Sequence, residues 1–161
     1  MEISFVQPGP IGPGALVVGL FEGGELTDTA ADADRATGGA LKRALSLSRF
    51  KAQVGQNLEL LAPAGVKASR IVLAGLGKRE NFAATAAERV AATLMGRLLG
   101  SGEQTLSFAL DLPKKTKLTE PELAAHLALG AVLRSYRFDH YRKVSDDDQP
   151  TEIIRPPATG S

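Results

Sequence analysis

The stretch Ser69-Arg-Ile-Val-Leu-Ala-Gly-Leu-Gly77 constrains this chain more than any other. Ile71 to Ala74 are four apolar residues in a row and leave no polar face. That is the pattern of a strand covered on both sides, as in α/β sheets. Gly75 and Gly77 then let the backbone turn sharply, since neither carries a Cβ that would clash at positive φ. A buried strand, a glycine turn and a helix in that order predict an α/β fold with this strand at its centre.

The rest of the chain reads as layers around it. Glu2 to Val6 alternates, with Ile3 and Phe5 on one side, and predicts a short edge strand. Gln7 to Gly14 is a Pro/Gly loop. Ala15 to Phe21 is a second, more buried strand, turned by Glu22-Gly-Gly24. Thr27 and Asp28 are the candidate caps of a helix over Thr29 to Arg35, because a short oxygen-bearing side chain satisfies free N–H groups there. Gly38-Gly39 separates it from a helix over Ala40 to Ser48, with Leu41, Ala44 and Leu45 on one face. Gln56 to Leu61 is a strand, ended by Pro63-Ala-Gly65, and its closeness to the central strand predicts a hairpin.

Beyond Lys78-Arg-Glu80, Asn81 is the expected cap of a long helix, Ala83 to Leu99, with Val90, Leu94 and Leu98 facing the core. Thr105 to Leu112 is a further strand, stopped by Pro113 and followed by the exposed loop Lys114-Lys-Thr-Lys117. Thr119-Glu-Pro-Glu122 has the capping-box spacing and opens a helix running to about Arg137. Leu123 to Leu133 is apolar nearly all round except His126, so this helix is expected to be buried on two sides, the second cover being another chain or a missing domain. From Asp139 the chain turns polar, and Pro156-Pro157 reads as linker. The order of elements predicts a three-layer α/β/α sandwich with a mixed sheet, since consecutive strands occur twice without a crossover. The domain is read as 1–138 and the linker as 139–161.

Bulk properties narrow the function. A chain of 161 residues suits one domain with a substantial core. Nineteen Lys and Arg against 18 Asp and Glu leave a net charge of +1, which gives no long-range field to gather nucleic acid or an anionic membrane. The absence of cysteine removes disulfide scaffolds, thiolate zinc sites and cysteine nucleophiles together. Met1-Glu-Ile-Ser-Phe-Val lacks the basic start and apolar core of a signal peptide, and no apolar run approaches the ~20 residues of a membrane span. Cytoplasm is the expected location.

The candidate chemistry is sparse. Gly75-x-Gly77 lies between a strand and a helix and is a weak candidate for presenting N–H groups to a phosphate. Position 80 of the would-be dinucleotide fingerprint is Glu, and no Gly-Lys-Ser/Thr follows, so a purely structural turn is the stronger reading. His126 has Glu122 as its one ligand-competent neighbour on the helix, and His140 has Asp139 beside it; both read as packed or interface histidines. Asp146-Asp-Asp148 lacks the glycine and terminal glutamate of a calcium loop and reads as a solvated charge run. Lys114, Lys115 and Lys117, or Arg134, Arg137, Arg142 and Lys143, are candidates for phosphate contacts, without interleaved stacking aromatics. Tyr136, Phe138 and Tyr141 are expected to anchor the last helix against the sheet. No serine has a glycine-elbow context.

Several stretches together resemble the N-terminal domain of the leucyl (cytosol) aminopeptidase family. They are Ala15-Leu-Val-Val-Gly-Leu-Phe-Glu-Gly-Gly24, Ala36-Thr-Gly-Gly-Ala-Leu41, Ser48-Arg-Phe-Lys51 and Gly55-Gln56. The most specific are Ser69 to Lys78, ending in Gly-Leu-Gly-Lys, and Leu129-Gly-Ala-Val-Leu-Arg-Ser-Tyr-Arg-Phe-Asp139 with Tyr141-Arg142 after it. The resemblance covers about residues 1–145.

It implies a macro-domain-like α/β/α sandwich. It also implies that the whole protein is a hexameric aminopeptidase with two divalent metals, manganese or zinc, releasing N-terminal residues, preferably leucine, from peptides. The family's metal ligands and catalytic residues belong to a second domain, whose signature phrases do not occur here. Two-metal hydrolysis needs clustered carboxylates, and no catalytic or metal-binding residue is carried over to this chain. The implied role is non-catalytic: assembly with the chain's own C-terminal catalytic domain and within the hexamer. Two alternatives stand beside it. One is a macro-type module binding ADP-ribose or a nucleotide at Gly75–Gly77. The other is a DNA-binding accessory domain, a use some bacterial members make of this surface.

Overall fold

The computed structural model describes residues 2–5, 11–24, 26–113 and 116–148, with side chains among them at 3–5, 11–24, 26–113 and 116–134. Five strands form one sheet: β1 (Glu2–Phe5), β2 (Gly14–Leu20), β3 (Asn57–Leu61), β4 (Ala68–Gly75) and β5 (Thr105–Ala109). Four helices accompany them: α1 (Asp28–Ala36), α2 (Ala40–Leu47), α3 (Ala84–Leu98) and α4 (Glu120–Asp148). The strand order is β1-β5-β2-β4-β3. β1, β5, β2 and β4 run parallel, and β3 pairs antiparallel with β4. The sheet is therefore mixed, and the β3–β4 hairpin forms as the sequence predicts.

Two expectations about the sheet change. The middle strand is β2, not the Ile71–Ala74 strand, which lies second from an edge. β4 is nonetheless covered on both faces, with Ile71 to Ala74 fully buried. β1 is an edge strand, as expected, but it does not pair with β2, because β5 lies between them.

The alternation of each strand sorts its side chains between two cores. Ala15, Val17, Val72, Ala74, Leu106 and Phe108 pack on one face under α3 and α4. Leu16, Val18, Leu20, Ile71 and Leu73 pack on the other under α1 and α2. The result is the three-layer α/β/α sandwich.

Helix ends follow their local chemistry. Thr27 caps α1, its hydroxyl accepting the Ala30 N–H. The Thr119 and Glu122 capping box is made, each residue's side chain reaching the other's N–H at 3.1 and 3.3 Å. Asn81 does not cap α3. It sits in a 3₁₀ turn, Arg79–Asn81, and the residue at the cap position is Ala83, which has no side-chain acceptor. β5 ends at Ala109 rather than Leu112, because the Ala109 carbonyl accepts from the Thr29 hydroxyl of α1 at 2.6 Å.

α3 and α4 pack closely. A Cβ on Gly130 would collide with the Glu88 carbonyl, so glycine is what lets α4 approach α3 there. Farther along the same pair, the Arg134 guanidinium lies over Gly96. α4 runs on to Asp148, past the end expected near Arg137. No proline or glycine interrupts the sequence between Ala131 and Gln149, and the first proline after it is Pro150. One face of α4 is covered by this chain through Leu123, Leu127 and Ala131. Leu129, Val132 and Leu133 remain exposed, so the second cover expected from the sequence is not supplied by the described residues.

Candidate functional site

In an open α/β sheet, ligands bind outside the carboxyl ends of the strands, where the chain switches direction across the sheet. Here that point lies between β2 and β5. After β2 the chain moves to β3 and β4, and then crosses back to β5 on the other side. A small cavity of about 320 Å³ with mixed polar and apolar walls opens beside it, lined by Phe5, Thr29, Phe108, Asp111 and Leu123 among others.

The N-terminus of α1 points to this edge, and a helix N-terminus is a ready anion site. In this protein it is already filled. The Thr29 N–H donates to Asp111 Oδ2 at 2.8 Å, and the Ala30 N–H to the Thr27 hydroxyl at 3.4 Å. The Thr29 hydroxyl also lies 3.0 Å from Asp111 Oδ2. Thr27 in turn donates to the Gly19 carbonyl at 2.9 Å, tying the cap to β2. The chain's own carboxylate takes the place of a bound anion.

The Gly75–Gly77 turn is similarly occupied. The Gly75 N–H donates to the Gln56 carbonyl at 2.9 Å, the Leu76 N–H to Leu20 at 3.0 Å and the Gly77 N–H to Ala52 at 2.8 Å. These three donors serve the 52–56 loop and β2, and none is turned outward to a phosphate.

A wider groove of about 840 Å³ lies between the β4–α3 turn and the β5–α4 loop. Its walls include Phe82, Pro113 and Leu118, with Arg79, Lys117 and Glu122 at the rim. Arg79 lies over the Phe21 ring, 5.0 Å from its centroid, and Phe21 meets Phe82 edge-on. Hydrogen bonds from the Thr119 hydroxyl and N–H hold the exposed Glu122 carboxyl below the usual carboxylate range.

A third groove of about 580 Å³ runs between α3 and α4, with Arg89, Thr93, Leu133 and Arg134 along it. Beside it His126 Nδ1 meets Glu88 Oε2 at 2.7 Å, so the partner of this histidine comes from α3 and not from Glu122 one turn away. The structure brings Arg134 to this groove and leaves Lys117 at the preceding one. Lys114 and Lys115 lie outside the described residues, as do the side chains of Tyr136, Arg137, Phe138, His140, Tyr141, Arg142, Lys143 and Asp146 to Asp148.

Among the described residues no three His, Asp or Glu side chains come together as a metal centre requires. The described side chains therefore do not fit a pair of bridging ions, which needs converging carboxylates.

The polar pairings that matter most here have little local signal. Asp111 reaches α1 across more than eighty residues of sequence. Asp34, buried in α1, accepts the Lys42 N–H at 2.9 Å and so caps α2, where Gly39 has no side chain to do so. Arg70 on β4 bridges Glu59 on β3 and Glu103 after α3.

Comparison with known proteins fits this picture. The model of the cytosol aminopeptidase family, N-terminal domain, matches residues 17–145. A probable cytosol aminopeptidase of Rhodopseudomonas palustris is 40% identical over 114 residues, covering 70% of this chain and 22% of that protein. Among solved structures, a variant of tomato leucine aminopeptidase superimposes with a TM-score of 0.63 at 21% identity, over 84% of this chain and 28% of the other. The macrodomain of Thermus aquaticus DarG superimposes with a TM-score of 0.58 at 15% identity, over 81% of this chain and 90% of that one. At these identities the structural likenesses establish the macrodomain-like fold alone. The chain spans about a quarter of the length of the curated relatives it matches, 22% and 29% in two of them. The chain belongs to the cytosol aminopeptidase family, and what it matches there is the N-terminal domain.

Proposed function

We propose that this chain is the non-catalytic front domain of a leucyl aminopeptidase, serving assembly and regulation of an enzyme whose chemistry lies in further polypeptide. The observation that carries this reading is the family match, which falls on the N-terminal domain and accounts for about a quarter of each relative. The switch-point helix end and the Gly75–Gly77 turn support it, because their polar groups are committed to the fold itself. In the whole protein, two divalent ions, manganese or zinc, would be held by the catalytic half and would activate water for peptide hydrolysis. The partners proposed are that catalytic half and further copies in a hexamer, and the location proposed is the cytoplasm, a reading that the relatives' name, cytosol aminopeptidase, supports. The domain is proposed to end near residue 138, so that the connection 139–161 begins inside α4.

A nucleotide reading finds less support. The switch-point helix is capped by Asp111, and the Gly75–Gly77 donors are engaged. A DNA reading has against it a net charge of +1.

The test is a peptidase assay on the pure chain with leucine p-nitroanilide and manganese. No turnover is expected, whereas the full-length protein should cleave the substrate. Clear turnover by the isolated chain would overturn the proposal.

A further inference from the structure

We propose that the exposed apolar ridge of α4 is the seat on which the downstream polypeptide of the same protein docks. This rests on the reading of the chain as a front domain. Leu129, Val132 and Leu133 are 45%, 59% and 45% exposed, on a helix whose opposite side is built into the core. Their spacing of three and four places them on one face. From Leu127 to Leu133 the sequence holds no charged residue, so the partner surface must itself be apolar.

Size decides between a separate copy and a tethered partner. Among the described side chains these three expose on the order of 300 Å² of apolar surface, against the ~800 Å² per partner of a standard interface. A contact that small does not hold two free molecules together. Within one chain the partner's effective concentration reaches about the millimolar range, and the same contact then suffices. α4 is also the element that leads onward. It continues fourteen residues past Arg134, which lies over Gly96 near the end of α3, a further rise of roughly 21 Å. The ridge thus lies on the helix that carries the chain away from this domain.

The test is hydrogen exchange, read by mass spectrometry on peptides covering 127–134, in the 161-residue chain and in the full-length protein. Exchange at least fivefold slower in the full-length protein is expected. The double substitution L129E/V132E should remove that difference, while leaving the melting temperature of the 161-residue chain unchanged, since both positions are exposed there. Equal exchange in the two proteins would overturn the proposal. So would a concentration-dependent dimer of the 161-residue chain that L129E/V132E dissociates, because the occupant would then be a second copy. Aminopeptidase activity of the full-length protein, measured on the same samples, separates the two readings. An active enzyme with a freely exchanging ridge sinks the docking proposal alone, and an inactive one sinks the front-domain reading.

Discussion

Gly75 shows what the sequence motif around it is for. The pair Gly75-x-Gly77 invites a ligand-binding interpretation, yet the space above Gly75 is filled by the chain. A Cβ there would collide with the Gln53 carbonyl and stand 2.7 Å from the Ala52 carbonyl carbon. Both obstacles are backbone, so neither can swing aside. Gly23 is the useful contrast, since it has positive φ but open space around it. Its substitution by alanine carries the left-handed penalty of about 1–2 kcal/mol. Gly75→Ala must instead displace the 52–56 loop, and the expected loss is about 3 kcal/mol or more. Urea unfolding of both variants checks this through the midpoint, with the slope unchanged. Equal losses at the two positions would mean that close packing is not why glycine stands at 75.

Between elements, the charge network of β3, β4, α3 and the following loop ties the hairpin to the helical layer. Arg70 reaches Glu103 at 2.6 Å and Glu59 at 2.5 Å, and Arg97 on α3 reaches Glu59 at 2.6 Å. The Ser69 hydroxyl also lies within 2.8 Å of both Glu103 oxygens, and Glu103 is only 7% exposed. Burial pushes the Glu59 carboxyl up, but the hydrogen bonds from Arg97 and Arg70 outweigh it and hold the group below its usual range. A depressed folded-state value means that the unfolded chain takes up the proton first as pH falls. The stabilisation is therefore complete above the ordinary carboxylate range and is lost as pH drops through it toward the folded value. Glu59→Gln should cost about 1–3 kcal/mol near pH 7. The gap between wild type and variant should narrow on acidification below the ordinary carboxylate range, as read by urea unfolding at a series of pH values. A gap constant across that series would show that Glu59 contributes packing and not charge. Local pairings such as the β3–β4 hairpin, the Thr27 cap and the Thr119–Glu122 box were legible because both partners lie within a few residues. The insertion of β5 between β1 and β2, the Asp111 cap on α1 and the Arg70 bridges were not, because hydrophobic period and cap spacing carry no information about partners dozens of residues away. The glycine turn reads as structural from its sequence, but what it packs against was hidden for the same reason: the 52–56 loop is brought to it by the hairpin and leaves no mark in the local sequence.

At the scale of the molecule, one sheet separates two cores and also couples them. Successive residues of β2, Val17 and Val18, belong to opposite cores, as do Val72 and Leu73 of β4. A strand cannot leave one core while staying registered in the other, because its side-chain period is two. Loss of either layer should therefore cost the whole fold. Leu41 anchors α2 in one core and Leu94 anchors α3 in the other, both fully buried. Truncating a buried leucine to alanine costs about 2–5 kcal/mol. For a chain of this size that lowers the melting temperature by roughly 5–15 °C. The sharper reading is native-state hydrogen exchange in Leu41→Ala. If the two layers unfold together, the slowest amides of α3, on the far side of the sheet, should exchange at least ~30-fold faster, the factor that 2 kcal/mol implies. The double variant with Leu94→Ala should then lose the sum of the two costs, since the sites lie in separate cores and share no partner. Faster exchange confined to α1 and α2, with α3 unchanged, would mean that the helical layers unfold independently. Among the described residues α4 joins the core on the α3 side of the sheet, through Leu123, Leu127 and Ala131, so its orientation is only as firm as the sheet beneath it, and the front-domain role proposed above would need the single cooperative body.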